Sequence, residues 1–318
     1  LFKDFNLGLS WYLANTFNQT FDPQISVSSG YTTIYLQTGY VRNTGLELSL
    51  GYGHTWNNNF RWDSNFTLSH NKNKIKELVR DYVHPETGEL INKDRLDVGG
   101  LGKARFILKE GGTLGDLYTQ SDLKRDDNGM VDIDPTGIVA IENNLPDIKL
   151  GSVFPKANLA WSNHFSWKGI SLSALFTARI GGIVYSATEA AMDQYGVSER
   201  SALARDNGGV LVNNRTLVDA QNYYTTIGSE SGLPQYYTYN ATNVRLQEAS
   251  IGYLIPRKWL GNVCDIQVSV IGRNLWMIYN KAPFDPESVA TTDNYYQGID
   301  YFMLPSTRNI GFNVKINF

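Results

Sequence analysis

The 318-residue chain predicts an all-β protein that crosses a membrane as part of an antiparallel barrel. Three observations carry this. Apolar and polar residues alternate with a period of two in segment after segment, the connections between segments are in turn very short and very long, and no run approaches the ~18 consecutive apolar residues of a transmembrane helix. The clearest segment is the closing RNIGFNVKINF, where Ile310, Phe312, Val314, Ile316 and Phe318 alternate with Asn309, Gly311, Asn313, Lys315 and Asn317. Successive side chains of a strand point to opposite faces, so the apolar set can meet lipid while the polar set meets a wet lumen.

The first alternating segment carries Phe5, Leu7, Leu9, Trp11 and Leu13 on one face, and the second Leu46, Leu48, Leu50 and Tyr52. Asn57-Asn58-Asn59 then reads as a tight hairpin, because Asn tolerates positive φ. The third segment sets Phe60, Trp62, Phe66 and Leu68 against Arg61, Asp63, Asn65, Thr67 and Ser69. A short pair follows near Lys103–Lys109 and Leu114–Gln120. Leu159, Trp161, Phe165 and Trp167 mark the next strand, which turns at Lys168-Gly169 into the alternation Ile170 to Ile180. The connection from Gly181 to Asn240 holds SATEAAMDQY and SERSALAR, each able to form a short helix. Val244 and Leu246 then share one phase while Ala249, Ile251 and Tyr253 share the other, which predicts a bulge between them. Ile266, Val268 and Val270 define a ninth strand, and the closing string a tenth.

Ten strands alternating in direction put the short links (Asn57–Asn59, Gly111–Gly112, Lys168–Gly169, Pro256–Asn262) at the end where Phe318 lies and the long ones at the other. Bacterial barrels show this asymmetry, with short periplasmic turns and long extracellular loops. Composition agrees: 19 Tyr, 14 Phe and 7 Trp suit interfacial aromatic girdles, and a mean hydropathy of -0.30 suits strands that dilute apolar with polar residues. A net charge of -3 without a basic cluster points away from nucleic acid. Cys264 is the only cysteine, so no intramolecular disulfide can form. The chain opens at Leu1 already in alternation, with no initiator methionine or signal segment, as a piece of a longer protein would.

Signals for covalent chemistry are weak. His54, His70, His84 and His164 have no metal-ligand spacing, and Gly102-Lys103 is followed by Ala104, which lacks the hydroxyl of a P-loop. Asp126-Asp127-Asn128-Gly129 with Asp132 and Asp134 resembles a calcium loop in composition but lacks its order and its closing Glu. No catalytic pair, metal site or cofactor site is expected. Tyrosines gather in the long connections instead: Tyr223, Tyr224, Tyr236, Tyr237, Tyr239, Tyr295, Tyr296 and Tyr301. Such rings can stack on a sugar or a peptide while their hydroxyls hydrogen-bond, or they can serve loop packing and an interfacial girdle. The candidate substrate-binding residues are these tyrosines up to Tyr296, and Phe318 is the candidate assembly signal.

Five strings, VRNTGLELSLGY, FPKANLAWSNHFSWKGISLSALFTARIGG, ATNVRLQEASIGYLIPRKWL, IGRNLWMIYNKAPFDPE and LPSTRNIGFNVKINF, resemble in this order the C-terminal part of the SusC/RagA-like TonB-linked outer-membrane transporters. The most specific are G-R-N-L-W at Gly272–Trp276, Asp285-Pro286-Glu287, and P-S-T-R at Pro305–Arg308. The resemblance implies that residues 1–318 are the last ten or so strands of a single barrel domain of roughly 22 strands, with its plug, TonB box and first strands outside this sequence. It implies a Gram-negative outer-membrane location and TonB-driven import of oligosaccharides or peptides. It also implies partnership with a SusD-like surface lipoprotein, with TonB through the missing N-terminal region, with membrane lipid and with the barrel assembly machinery. The rival readings are an outer-membrane barrel enzyme and a soluble carbohydrate-binding sandwich.

Overall fold

A computed structural model describes residues 3–21, 35–37, 39–83, 88, 90–229, 232–291 and 296–318. Its largest element is one eight-stranded antiparallel sheet whose strands follow chain order. These wall strands are β1 (Phe5–Phe17), β2 (Tyr40–Thr55), β3 (Arg61–Glu77), β4 (Ala157–Trp167), β5 (Ile170–Ile180), β6 (Asn243–Ile255), β7 (Asp265–Asn280) and β8 (Asn309–Asn317). No described helix is long and apolar enough to cross a membrane.

Alternation and register together sort the wall into two faces. Leu7 pairs with Leu50, Leu50 with Phe66, Phe66 with Trp161, Trp161 with Phe176, Phe176 with Leu246 and Leu246 with Trp276, so one apolar row crosses β1 to β7. A second row runs Trp62, Phe165, Leu172, Ile251, Val270 and Phe312. Leu7, Trp161, Ile251 and Phe312 of these rows stand exposed, with no second sheet against them. A soluble sandwich would bury that face within its own fold, whereas an exposed apolar face this broad marks a surface covered by a membrane or by another protein segment. Near the short-turn end it carries an aromatic cluster: Tyr52 meets Trp62 at 5.1 Å, Trp62 meets Phe165 at 5.9 Å and Trp56 meets Phe60 at 5.3 Å. Two polar residues on this face are satisfied by its tryptophans. Trp62 Nε1 donates to Asn163 Oδ1 at 3.1 Å, and Trp161 Nε1 donates to Ser64 Oγ at 3.0 Å.

The tight links take the expected geometry. Lys168 and Gly169 both have positive φ (48° and 88°), the combination a two-residue hairpin requires to match strand twist, and of the three asparagines Asn59 supplies the positive φ of its turn (61°). The bulge falls at Gln247: the register of β6 skips it against β5 and again against β7. Opposite it, Asn274 of the G-R-N-L-W string takes φ 51°.

One expectation fails. The segments near Lys103–Lys109 and Leu114–Gln120 are not wall strands, so the wall has eight strands among the described residues and not ten. Ala104–Lys109 and Asp116–Thr119 belong to a separate four-stranded sheet with Arg95–Leu101 and Ile148–Ser152. Phe106, Ile107, Leu108 and Leu117 are fully buried, a continuous apolar run that wants a core on both sides. Six and four residues are also too short to span the apolar band. Removing two adjacent strands leaves every later direction unchanged, so Asn57–Asn59, Lys168–Gly169 and Pro256–Asn262 still share one end. Gly111-Gly112, expected with them, instead lies in the outer layer, its backbone bonded to Ile75 at the opposite end of β3.

At the other end the described parts of the connections from Leu78 onward pack together as an outer layer with its own core. Phe106, Leu117, Val139, Tyr237, Leu233 and Ile299 meet there, and Val41 and Ile75 extend it into the tops of β2 and β3. Both expected helices form: α1 (Ala187–Gln194) is capped by Ser186, which accepts from Glu189 N–H, and α2 (Glu199–Asp206) by Ser198, which accepts from Ser201 N–H. A third, α3 (Ala220–Gly228), capped by Asp219, was not legible as a helix because its β-branched and aromatic residues lower local propensity.

Candidate functional site

The polar face of the wall lines two hollows of about 590 and 670 Å³. Nearer the short turns, Asn65, Ser162 and Ser173 share the first with Asp63, His164 and Glu248. Nearer the outer layer, Ser10, Ser49, Thr67 and Thr177 share the second with Glu47, Arg179 and Gln247. Neutral hydroxyls dominate and the charges are largely paired: Arg61 Nη2 lies 2.5 Å from Asp63 Oδ1, and Arg273 Nε lies 2.8 Å from Glu248 Oε2. Such a surface offers many weak, exchangeable hydrogen bonds; His164 lies across the sheet from Ser173 and Asp63, but the Ser173 hydroxyl is engaged with Ser250 Oγ at 2.6 Å.

The three most specific sequence strings converge where this face meets the outer layer. Arg245 of β6, 4% exposed, donates from Nη2 to Asp285 Oδ1 at 2.8 Å and from Nη1 to Asp285 Oδ2 at 3.2 Å, and lies 3.3 Å from Glu287 Oε2. Its Nε and Nη2 also reach Asn243 Oδ1, both at 3.2 Å. Burial alone would raise the Asp285 carboxyl, but the Arg245 fork, the Glu287 N–H and the Ser306 hydroxyl hold it below the usual range. Asn274 donates to the Thr307 carbonyl at 3.3 Å. Thus Asp285 and Glu287 of D-P-E are held on Arg245 of β6, Ser306 of P-S-T-R bonds Asp285, and Thr307 is held by Asn274 of G-R-N-L-W in β7, which together form a clasp. Its role is positional.

The candidate tyrosines are used mostly by the fold itself. Tyr237, 1% exposed, donates to Asp193 Oδ2 at 2.8 Å, and Arg200 Nε lies 2.7 Å from the same oxygen with its guanidinium 4.9 Å from the Tyr237 ring centre. Ser198 donates to the other carboxylate oxygen. Tyr239 donates to Glu189 Oε2. Burial, then the Asp193 charge, push the Tyr237 hydroxyl far above its usual range, and burial with the Glu189 bond raises Tyr239 to about 12, so both stay protonated donors. Tyr223 and Tyr224 of α3 stack edge to face at 5.4 Å, with Tyr224 buried and Tyr223 raised to about 12 by burial. Tyr236 packs half-buried against the core. Tyr296 leaves its ring exposed; Tyr295, like His84, lies outside the described residues. The sequence pattern did not single out Tyr195 and Phe302, which with Tyr301 stand exposed around a separate hollow.

The acidic run is a pair of self-satisfied turns. Asp126 Oδ1 accepts from the Asn128 and Met130 N–H groups, each at 2.9 Å, and Asp134 Oδ1 accepts from Thr136 at 2.8 Å and Ile138 at 3.0 Å. Asp132 pairs with Lys124 at 2.8 Å. Among the described residues no group of His, Cys, Asp and Glu could hold a metal ion. Phe318 follows β8 with its ring exposed.

No protein-family model matches the chain. Two curated relatives from Formosa agariphila align over nearly all of it: TonB-dependent receptor P3 at 25% identity over 97% of the chain, and TonB-dependent receptor P26 at 24% over 98%. The chain spans 32% of the length of each. Among solved structures, the RagAB peptide transporter superposes with a TM-score of 0.71 at 19% identity, covering 99% of this chain and 34% of its own. The closed-closed state of the RagAB peptide importer superposes with a TM-score of 0.68 at the same identity. The likeness to these structures extends to the fold, and the resemblance read from the five strings holds along almost the whole chain.

Proposed function

We propose that this chain, a stretch of the barrel of a SusC/RagA-like TonB-dependent transporter, forms the wall section past which an oligosaccharide or peptide is imported through a Gram-negative outer membrane. The observation that carries this reading is the division of one sheet into an exposed apolar face and a polar face lining two hollows, with the long connections folded over one end. A polyamide or polyhydroxylated solute can exchange hydrogen bonds along such a hydroxyl-rich face without being trapped by a single strong site. The plug and the TonB-contacting segment belong to the rest of a longer polypeptide, and a SusD-like surface lipoprotein covers the outer layer. The wall contributes passage and no covalent chemistry. Phe318 acts before transport, as the aromatic terminus recognised by the barrel assembly machinery.

The test is uptake in the native bacterium. Deleting the gene that carries this chain should abolish growth on one class of oligosaccharide or peptide, and removing TonB should have the same effect. The lipoprotein should copurify with the tagged transporter. Uptake that persists at full rate without TonB would refute the reading.

A further inference from the structure

The outer layer holds a third hollow, of about 620 Å³, that lies apart from the luminal wall. Its floor is one face of α1, where Ala187, Ala190 and Gln194 follow at helical spacing and two of the three side chains are single methyl groups. Its walls are the rings of Tyr195, Tyr301 and Phe302. Tyr195 is 76% exposed and Phe302 60%, so neither ring serves the core of the layer. Tyr301 and Phe302 stand at 68° to one another with centroids 5.0 Å apart, two faces of an open angle.

Phe302 holds this position at a conformational cost. Its φ is 51°, a region that bulky side chains rarely adopt. The Phe302 N–H donates to Thr188 Oγ1 of α1 at 2.7 Å, which ties the strained residue to the helix forming the floor. Strained residues cluster at binding and catalytic sites, and here the strain falls on an exposed ring that no core contact explains.

We propose that this hollow binds a neutral sugar ring of an oligosaccharide. None of its described lining residues is charged, so an anionic sugar or a charged peptide terminus finds no counter-ion there. A pyranose presents an apolar C–H face that packs against an aromatic ring and a rim of hydroxyls that need donors and acceptors. The tyrosine hydroxyls and the Gln194 amide supply both. The volume lies within the range of small-ligand sites and admits one or two sugar rings. This site deepens the import reading by naming the solute class that the outer layer captures, and its binding is measured separately from transport.

The experiment is isothermal titration of the full-length protein carrying this chain, in detergent, with maltotetraose, cellotetraose and mannotetraose, and with tetragalacturonate and tetraalanine for comparison. Phe302→Gly is the informative variant, since glycine keeps the positive φ and loses only the ring. At least one neutral tetrasaccharide should bind, and Phe302→Gly and Tyr301→Ala should each weaken it by about tenfold. The thermal midpoint of Phe302→Gly should be unchanged or raised, and tetragalacturonate should not bind. Failure of all three neutral sugars to bind, binding indifferent to both substitutions, or equal competition by tetraalanine would each overturn the proposal. Loss of TonB-dependent uptake as a reading would leave these binding results standing.

Discussion

Replacing Arg245 with Met should release residues 285–290 from the wall without unfolding the sheet. Methionine keeps much of the stem and removes the guanidinium, so the loss is confined to its contacts with Asp285, Glu287 and Asn243. Breaking a buried ion pair by removing one partner costs roughly 3–5 kcal/mol, because the other charge stays behind unpaired. Asp285 is well covered, its side chain 10% exposed, but it also accepts from the Glu287 N–H at 3.0 Å and from Ser306. The low end, about 3 kcal/mol, is therefore expected. Amide hydrogen exchange reads this locally. Ser288 N–H donates to the Asp285 carbonyl at 3.1 Å and Ala290 N–H to the Ile299 carbonyl at 2.9 Å. Both should exchange roughly 10²-fold faster in the variant, the factor that about 3 kcal/mol represents. The amides pairing β6 with β5 should keep their protection. Asp285→Asn, which keeps the shape and loses the charge, should give a smaller effect, and combining the two should add little to Arg245→Met. Exchange within threefold of the parent at Ser288 and Ala290 would refute the clasp.

Acidification to low pH should loosen the outer layer at Asp147. Its carboxylate, 5% exposed, meets Arg95 Nε at 2.7 Å and Lys109 Nζ at 2.8 Å. The Arg95 hydrogen bond, against the cost of burial and aided by Lys109, lowers its pKa from 3.8 to about 2. A depressed carboxylate stabilises the fold above its unfolded value, so about 2 kcal/mol present above pH 4 should be lost as pH falls towards 2. Asp147→Asn should remove that segment of the pH dependence, and an unchanged profile would count against it. Lipid-soluble photolabels should mark single cysteines placed at Trp62, Trp161, Phe176 and Phe312 in a Cys264→Ser background, and spare those at Asn65, Ser162, Ser173 and Asn313; the reverse pattern would mean a register slip. Phe318→Ala in the full-length protein should lower the amount inserted into membranes, while the inserted fraction keeps its heat-modifiable migration; equal insertion would remove Phe318 from assembly. Produced by itself, the 318-residue chain should associate or aggregate in detergent, because among the described residues β1 and β8 each pair on one side only. A monodisperse monomer by light scattering would mean that its edges close on each other.

Period-two alternation was enough to place every wall strand, because a strand between lipid and water must repeat that contrast at each residue. The same rule assigned Trp161 outward and Ser162 inward, and the change of phase after Leu246 located the bulge to within a residue of Gln247. Turn chemistry at Lys168-Gly169 and the Ser186 and Ser198 caps were likewise legible, since each depends on neighbours in sequence. What the tertiary structure decided involves partners far apart along the chain. Ala104–Lys109 reads as a strand in either setting, and only the burial of Phe106 and Leu108 on one face together with Ile107 on the other removes it from the wall. Tyr237 and Tyr239 look like surface rings until Asp193 and Glu189, 44 and 50 residues earlier, accept hydrogen bonds from their hydroxyls. The three specific strings show no relation by composition, and only the folded chain brings Asp285 to Arg245 and Thr307 to Asn274. Local periodicity is written into each segment because solvent acts on every residue separately, whereas the burial of a loop tyrosine depends on which distant carboxylate the folded chain brings to it.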